Sequence, residues 1–75
     1  LILVDLFGGS PSNATARSLH DLKGSVRAAC VTGVNLPMLL EVATSVSYLK
    51  LDELKKKCLS IGPESILDLC EMINL

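Results

Sequence analysis

Tryptophan is absent from this 75-residue chain, and Phe7 and Tyr48 are its only aromatic side chains. Without aromatics, a core has to be assembled from Leu, Val, Ile and Ala, as in α/β proteins whose strands are covered on both faces. A charge excess is lacking as well. Seven Lys and Arg oppose eight Asp and Glu, for a net charge of −1, which leaves no electrostatic footprint for nucleic acid or an anionic membrane. The one basic cluster, Lys55-Lys56-Lys57, follows Asp52, Glu53 and Leu54 and reads as a solvated helix face. Cysteine is scarce and odd in number. Cys30, Cys58 and Cys70 lie far apart in apolar surroundings, with neither a CxxC nor a metal-ligand spacing. They are expected to be small buried hydrophobes in a reducing compartment, and no disulfide framework, metal site or cofactor is implied. No stretch approaches the ~18 apolar residues of a membrane span and no signal-peptide pattern is present, so the expected location is cytoplasmic.

What the chain does have is apolar bulk. Hydrophobic residues make up 49% of it and the mean hydropathy is +0.49, in a length below the ~100–150 residues of a typical domain. Leu1 opens inside the β-prone run Leu-Ile-Leu-Val with no polar lead-in. These features lead to the expectation that residues 1–75 are a portion of one larger domain, without its N-terminal strands.

The run Leu1–Val4 predicts a central strand, and Gly8-Gly9 a turn. Ser10 is placed as the N-cap of a helix, with Pro11 at the first helical position. That helix reaches about Asp21, with Ala14, Leu19 and Leu22 for its core face, and Lys23-Gly24-Ser25 ends it. A second strand is expected over Ser25–Val31, with Val26, Ala28 and Cys30 on one face. Thr32-Gly33-Val34-Asn35 then turns the chain, and Asn35 caps a second helix that tolerates Pro37 in its first turn. Leu36, Leu39, Leu40, Ala43 and Val46 follow helical spacing and form its expected core face. After a break within Ser45–Leu51, Asp52 opens a third helix whose inner side is Leu51, Leu54, Cys58 and Ile61. Gly62-Pro63 interrupts the pattern, which Ile66, Leu67, Leu69, Cys70 and Ile73 resume, as two short helices or one kinked at Pro63. The fold class is α/β: a mainly parallel sheet flanked by helices, in the order strand–helix–strand–helix–helix.

In open α/β sheets, ligands bind beyond the carboxyl ends of the strands. Asp5 and the turn Gly8-Gly9-Ser10 are predicted to lie there. A helix N-terminus preceded by small residues offers free N–H donors and the positive end of a dipole, which suits phosphate. The same composition also suits a turn that only reverses the chain, and Asp5 also suits a plain turn carboxylate. A carboxylate aimed at phosphate would repel it, unless a histidine stands between the two. A carboxylate that accepts one imidazole N–H fixes the tautomer and leaves the other nitrogen free as nucleophile. Such an arrangement is a phosphohistidine site.

The segments "LVDLFGGSPSNATAR" and "VTGVNLPMLLE" occur in that order, each after a strand, with one helix between them. Together they resemble the IIA domain of the mannose family of the bacterial phosphoenolpyruvate-dependent sugar phosphotransferase system, over nearly the whole chain. "LDELKKKCLSIGPESIL" also looks like the family's closing helix, apart from Pro63. The resemblance implies a cytoplasmic α/β phosphotransferase domain, typically dimeric and without a cofactor. A histidine after the family's first strand accepts phosphate from the phosphocarrier protein HPr. It passes the phosphate to a IIB domain, which serves membrane components of sugar transport. By position, Asp5 matches the residue that orients the histidine, and Gly8, Gly9 and Ser10 match the phosphate-holding turn. Thr32, Gly33, Val34 and Asn35 would wall the pocket. The resemblance places this chain as the C-terminal portion of the domain.

The departure from the family is the nucleophile. His20, the single histidine, falls late in the first helix, outside the family motifs, about three turns from the helix N-terminus. It is expected to face solvent. Similar domains also occur inside transcription activators, where phosphorylation regulates activity, and that is the alternative reading. A nucleotide-binding domain is disfavoured, because GxxxxGK[ST] and GxGxxG are both absent and no lysine adjoins the turn.

Overall fold

The computed structural model describes all of residues 1–75. Its elements are β1 (Ile2–Leu3), α1 (Ser10–Asp21), β2 (Cys30–Val31), α2 (Leu36–Ser45), α3 (Leu51–Glu64) and α4 (Leu69–Met72). The architecture is mixed α/β: a two-stranded parallel sheet and four helices. β1 pairs with β2 in the register Ile2 opposite Cys30 and Leu3 opposite Val31. The ladder is extended by the Ile2 N–H donating to the Ala29 carbonyl at 2.8 Å and the Val4 N–H to the Val31 carbonyl at 3.0 Å. The expected strand over Ser25–Val31 is therefore realised only at its end. In this register Ser25–Ala28 have no residue opposite them, and a strand without a partner forms no ladder.

The core is small. Val31, Met38 and Cys58 are buried together, with Leu3, Val34 and Val42 packed around them, and Val4 and Leu54 are also buried. α2 and α3 form an antiparallel pair that covers this cluster. The inner side of α3 is the expected one: Leu54 and Cys58 are buried, and Leu51 and Ile61 half-buried. α2 differs from expectation. Leu36, Leu39, Leu40, Ala43 and Val46 all face outward, and the packed stripe is Met38, Val42 and Ser45. α2 is apolar on nearly every side, so polar links at both ends of the α2–α3 contact set which face turns in. At one end the Asn35 amide reaches Gly62 and Ser65. At the other, Lys57 Nζ lies 3.3 Å from Glu41 Oε2 and donates to the buried Ser45 hydroxyl, also at 3.3 Å. Lys57 is thus half-buried and paired, unlike the solvated lysine the basic cluster suggested.

Helix boundaries shift by single residues. Gly9, not Ser10, is the N-cap of α1, so Pro11 is the second helical residue. Leu51 opens α3 one residue early, and the Glu53 carboxylate reaches back to accept the Lys50 N–H at 3.0 Å, which is one half of a capping box. Asn35 caps α2 as expected, its Oδ1 accepting the Met38 N–H at 3.1 Å. Pro63 does not break α3 where it stands. It lies in the last turn, the helix ends at Glu64, and a separate short α4 follows, capped by the Asp68 carboxylate on the Glu71 N–H.

The expected core face of α1 is also open: Ala14 and Leu22 are exposed and Leu19 half-buried, while Ser12 is the buried residue. α1 packs on no other helix or strand, so nothing draws its apolar side chains inward. Of the cysteines, Cys58 is buried, Cys30 half-buried and Cys70 exposed, and all three are free thiols. Cys70 departs from expectation because α4 has no buried residue. No helix is long and apolar enough to cross a membrane.

Met38 bears on stability directly. It is 3% exposed at the centre of the cluster, and removing a buried methionine side chain costs about 2–5 kcal/mol. Met38→Ala is expected to lower unfolding free energy by about that much, read from the urea midpoint at unchanged m.

Candidate functional site

The parallel register places Asp5, after β1, and Thr32, after β2, at the same carboxyl edge of the sheet. Asp5 is exposed, and its Oδ1 accepts the Leu6 N–H at 2.8 Å. This is the local contact of a turn carboxylate, and Oδ2 carries no hydrogen bond. Leu6 and Phe7 beside it are exposed, at 65% and 82%, so the loop presents apolar side chains around the carboxylate.

The turn that follows is held from inside α1. Gly8 has φ +86°, a left-handed conformation that glycine adopts without a Cβ clash. Its N–H donates to the Ser12 hydroxyl at 3.3 Å, and its carbonyl accepts from Asn13 Nδ2 at 3.2 Å. Ser12 is therefore the serine that braces the turn, three residues after the cap, where side chains reach back toward the N-terminus. The sequence reading missed it, although that spacing was the available signal. Gly9 approaches the chain closely, and a Cβ built on it would lie 3.3 Å from the Leu6 carbonyl oxygen. Ser10 remains exposed, with its hydroxyl in no cap hydrogen bond. The N–H groups of Ser10 and Ser12 have no acceptor within the chain, since the first helical bond is Asn13 N–H to Gly9 carbonyl at 2.9 Å. The end of α1 thus carries free donors and the positive end of its dipole.

The loop after β2 lies beside a cleft of about 190 Å³ lined by Thr32, Gly33 and Asn35 together with Met38, Cys58 and Gly62 from the helix pair. Val34 turns against the core cluster and does not line the cleft. Asp5, Gly8, Gly9 and Ser10 do not line it either. The structure therefore gathers the candidate residues on one edge of the sheet, in two groups. Burial raises the Cys58 thiol pKa above its ordinary value, so this lining thiol is neutral and unreactive at physiological pH. His20, in the last turn of α1, is exposed as expected.

A family model described as the fructose IIA component of the phosphotransferase system matches residues 1–59, which include Asp5, the glycine turn and the Thr32–Asn35 loop. The chain belongs to that family. Among curated relatives, the sorbose-specific EIIA component of Lacticaseibacillus casei is 38% identical over 74 residues, covering 99% of this chain and 51% of the relative. The fructose-specific EIIA component of Bacillus subtilis (strain 168) is 38% identical over 65 residues, covering 87% of this chain and 42% of the relative. The chain spans about half the length of these relatives. Gly62, Pro63 and Ser65 of this IIA-family chain lie beyond the matched residues.

Proposed function

We propose that this chain is the C-terminal portion of a IIA phosphocarrier domain. In that reading a histidine contributed by the N-terminal portion takes phosphate from HPr and passes it to IIB. The observation that carries the reading is the carboxyl edge of the sheet, where Asp5 lies beside a helix N-terminus with unpartnered N–H groups at Ser10 and Ser12. Asp5 would accept one ring N–H of the histidine through Oδ2, leaving the other nitrogen to attack phosphorus. The nitrogen–phosphorus bond forms as the phosphohistidine of HPr releases its phosphoryl group, and the same exchange in the next step hands the group to IIB. The free N–H groups of Ser10 and Ser12 and the helix dipole would hold the phosphoryl oxygens, at a distance from the carboxylate. Gly8 and Gly9, whose own N–H groups go to the Ser12 hydroxyl and the Leu6 carbonyl, would shape the turn around them. Thr32, Gly33, Val34 and Asn35 would close the second side.

Two relatives whose names carry different sugars are equally similar to this chain, at 38%, so the likeness selects no sugar. The direct test is incubation of the full-length protein with ³²P-labelled phospho-HPr. Acid-labile, base-stable label is expected, as for a phosphorylated imidazole. No label, or label stable to acid, sinks the proposal.

Ser10 gives a graded check. Ser10→Ala is expected to remove one hydrogen bond to a charged group, worth about 1.5–3 kcal/mol, and so to lower phosphorylation at equilibrium with HPr by about tenfold or more. The N–H groups and the dipole remain, so labelling should persist. Unchanged occupancy would leave Ser10 as no more than the first residue of α1.

A further inference from the structure

We propose that Asn35 and Ser65 are positioning residues. They latch the Thr32–Asn35 loop to the end of α3, and the latch sets the rate of the phosphate transfer proposed above, a reading on which this inference rests.

The argument begins with the Asn35 amide, whose groups are all in use. Its Oδ1 accepts the Met38 N–H at 3.1 Å. Its Nδ2 donates to the Gly62 carbonyl at 2.9 Å and to the Ser65 hydroxyl oxygen at 3.1 Å. An amide nitrogen carries two hydrogens, so none is left for an incoming anion. Asn35 therefore holds the wall of the site and does not touch what enters it. Ser65 closes the triangle, its hydroxyl donating to the same Gly62 carbonyl at 2.7 Å.

Gly62 can serve as this anchor because of how α3 ends. Were the helix to continue, the Ile66 N–H would fall on the Gly62 carbonyl. The helix stops at Glu64, and that N–H goes instead to the Pro63 carbonyl at 3.1 Å. The Gly62 carbonyl accepts only one long backbone bond, from Ser65 N–H at 3.4 Å, and is open to the two side-chain donors. Gly62 also leaves room for the Met38 side chain: a Cβ there would stand 2.6 Å from the Met38 Cε.

The loop has little else to hold it. The N–H groups of Gly33 and Val34 meet no acceptor in the chain, and Gly33 has φ +71°. Thr32 is exposed and its hydroxyl makes no hydrogen bond within the chain. Beyond Val34 against the core, the Asn35 triangle is what ties this edge of the site to the helix pair. Its far side, Gly62 and Ser65, lies outside the residues 1–59 that the family model matches.

The test uses the full-length protein with Asn35→Ser, Ser65→Ala and Ser65→Thr. Serine keeps an N-cap acceptor for α2 but cannot span to Gly62, so the latch is cut while the helix stays capped. Two readings are taken: ¹⁵N order parameters at Gly33 and Val34, and kcat and KM for transfer from phospho-HPr. In Asn35→Ser and Ser65→Ala, both order parameters are expected to fall from about 0.85 to below about 0.6, the passage from rigid to flexible backbone. kcat is expected to fall by about 10-fold to 100-fold, the scale of a misplaced reacting geometry, with KM for HPr unchanged. Ser65→Thr restores the hydroxyl and is expected to restore both readings. Unchanged order parameters, or lower ones with unchanged kcat, overturn the inference. If the unsubstituted protein takes no phosphate, the proposed function fails, and the order parameters at Gly33 and Val34 alone decide whether the latch holds the loop.

Discussion

Asp5→Asn in the full-length protein is expected to fold normally and to transfer phosphate on the order of 10²-fold more slowly. The carboxylate is exposed and bonded only to its neighbour's N–H at 2.8 Å, a contact that asparagine's carbonyl oxygen can also accept, so the fold loses nothing. An amide, however, can present either an acceptor or a donor to an imidazole, and the donor selects the wrong tautomer. Where a histidine relays a proton for another nucleophile, the equivalent exchange costs on the order of 10⁴ in rate. In the proposed mechanism the histidine attacks phosphorus itself and relays nothing, which makes the expected loss smaller. Rapid-quench transfer from ³²P-labelled phospho-HPr reads the effect, with thermal unfolding as the control. Unsubstituted rates in the Asn variant would leave Asp5 as a turn carboxylate and remove it from the mechanism.

The largest expected effect is a complete one. Residues 1–75 alone are expected to take no phosphate from phospho-HPr, whereas His20→Ala in the full-length protein is expected to transfer at the unsubstituted rate. His20 is exposed in the last turn of α1 and forms neither of the chain's ion pairs. Nothing there fixes its tautomer or offsets incoming negative charge. The structural reason is independent of the chemistry. Only 8 of the 75 residues are buried, while Leu36, Leu40, Val46, Ile66 and Leu69 are among the large hydrophobics left exposed. A two-stranded sheet with both edges unpaired adds little stability of its own. The isolated piece is therefore expected to aggregate, or to become ordered only against further chain. Addition of the N-terminal portion, in cis or as a separate polypeptide, is expected to restore labelling. Stable label on the isolated piece that disappears with His20→Ala would make His20 the acceptor and overturn the reading.

The order of elements up to α3 and the position of the candidate site came from local chemistry. An apolar run ending in Asp5, small residues at Gly8 and Gly9, and Pro11 near a helix start each constrain only their neighbours, so their meaning survives without tertiary context. The inner side of α3 was legible for the same reason: Leu54, Cys58 and Ile61 alternate with charged residues, and only one face can be buried. α2 offered no such contrast. With Leu36, Leu39, Leu40, Ala43 and Val46 on one side and Met38 and Val42 on the other, spacing supports either face. Hydrogen bonds from Asn35 to Gly62 and from Lys57 to Ser45 turned the second one inward. The length of β2 was likewise a tertiary matter, because a strand exists only as far as its partner runs alongside it. Which serine braces the glycine turn depended on a one-residue shift of the helix start, from Ser10 to Gly9 as cap. By itself the sequence placed the candidate residues Asp5 and Thr32 at the carboxyl edge of the sheet. The tertiary structure decided which apolar face is buried and what holds the Thr32–Asn35 loop, because both depend on partners distant in the chain.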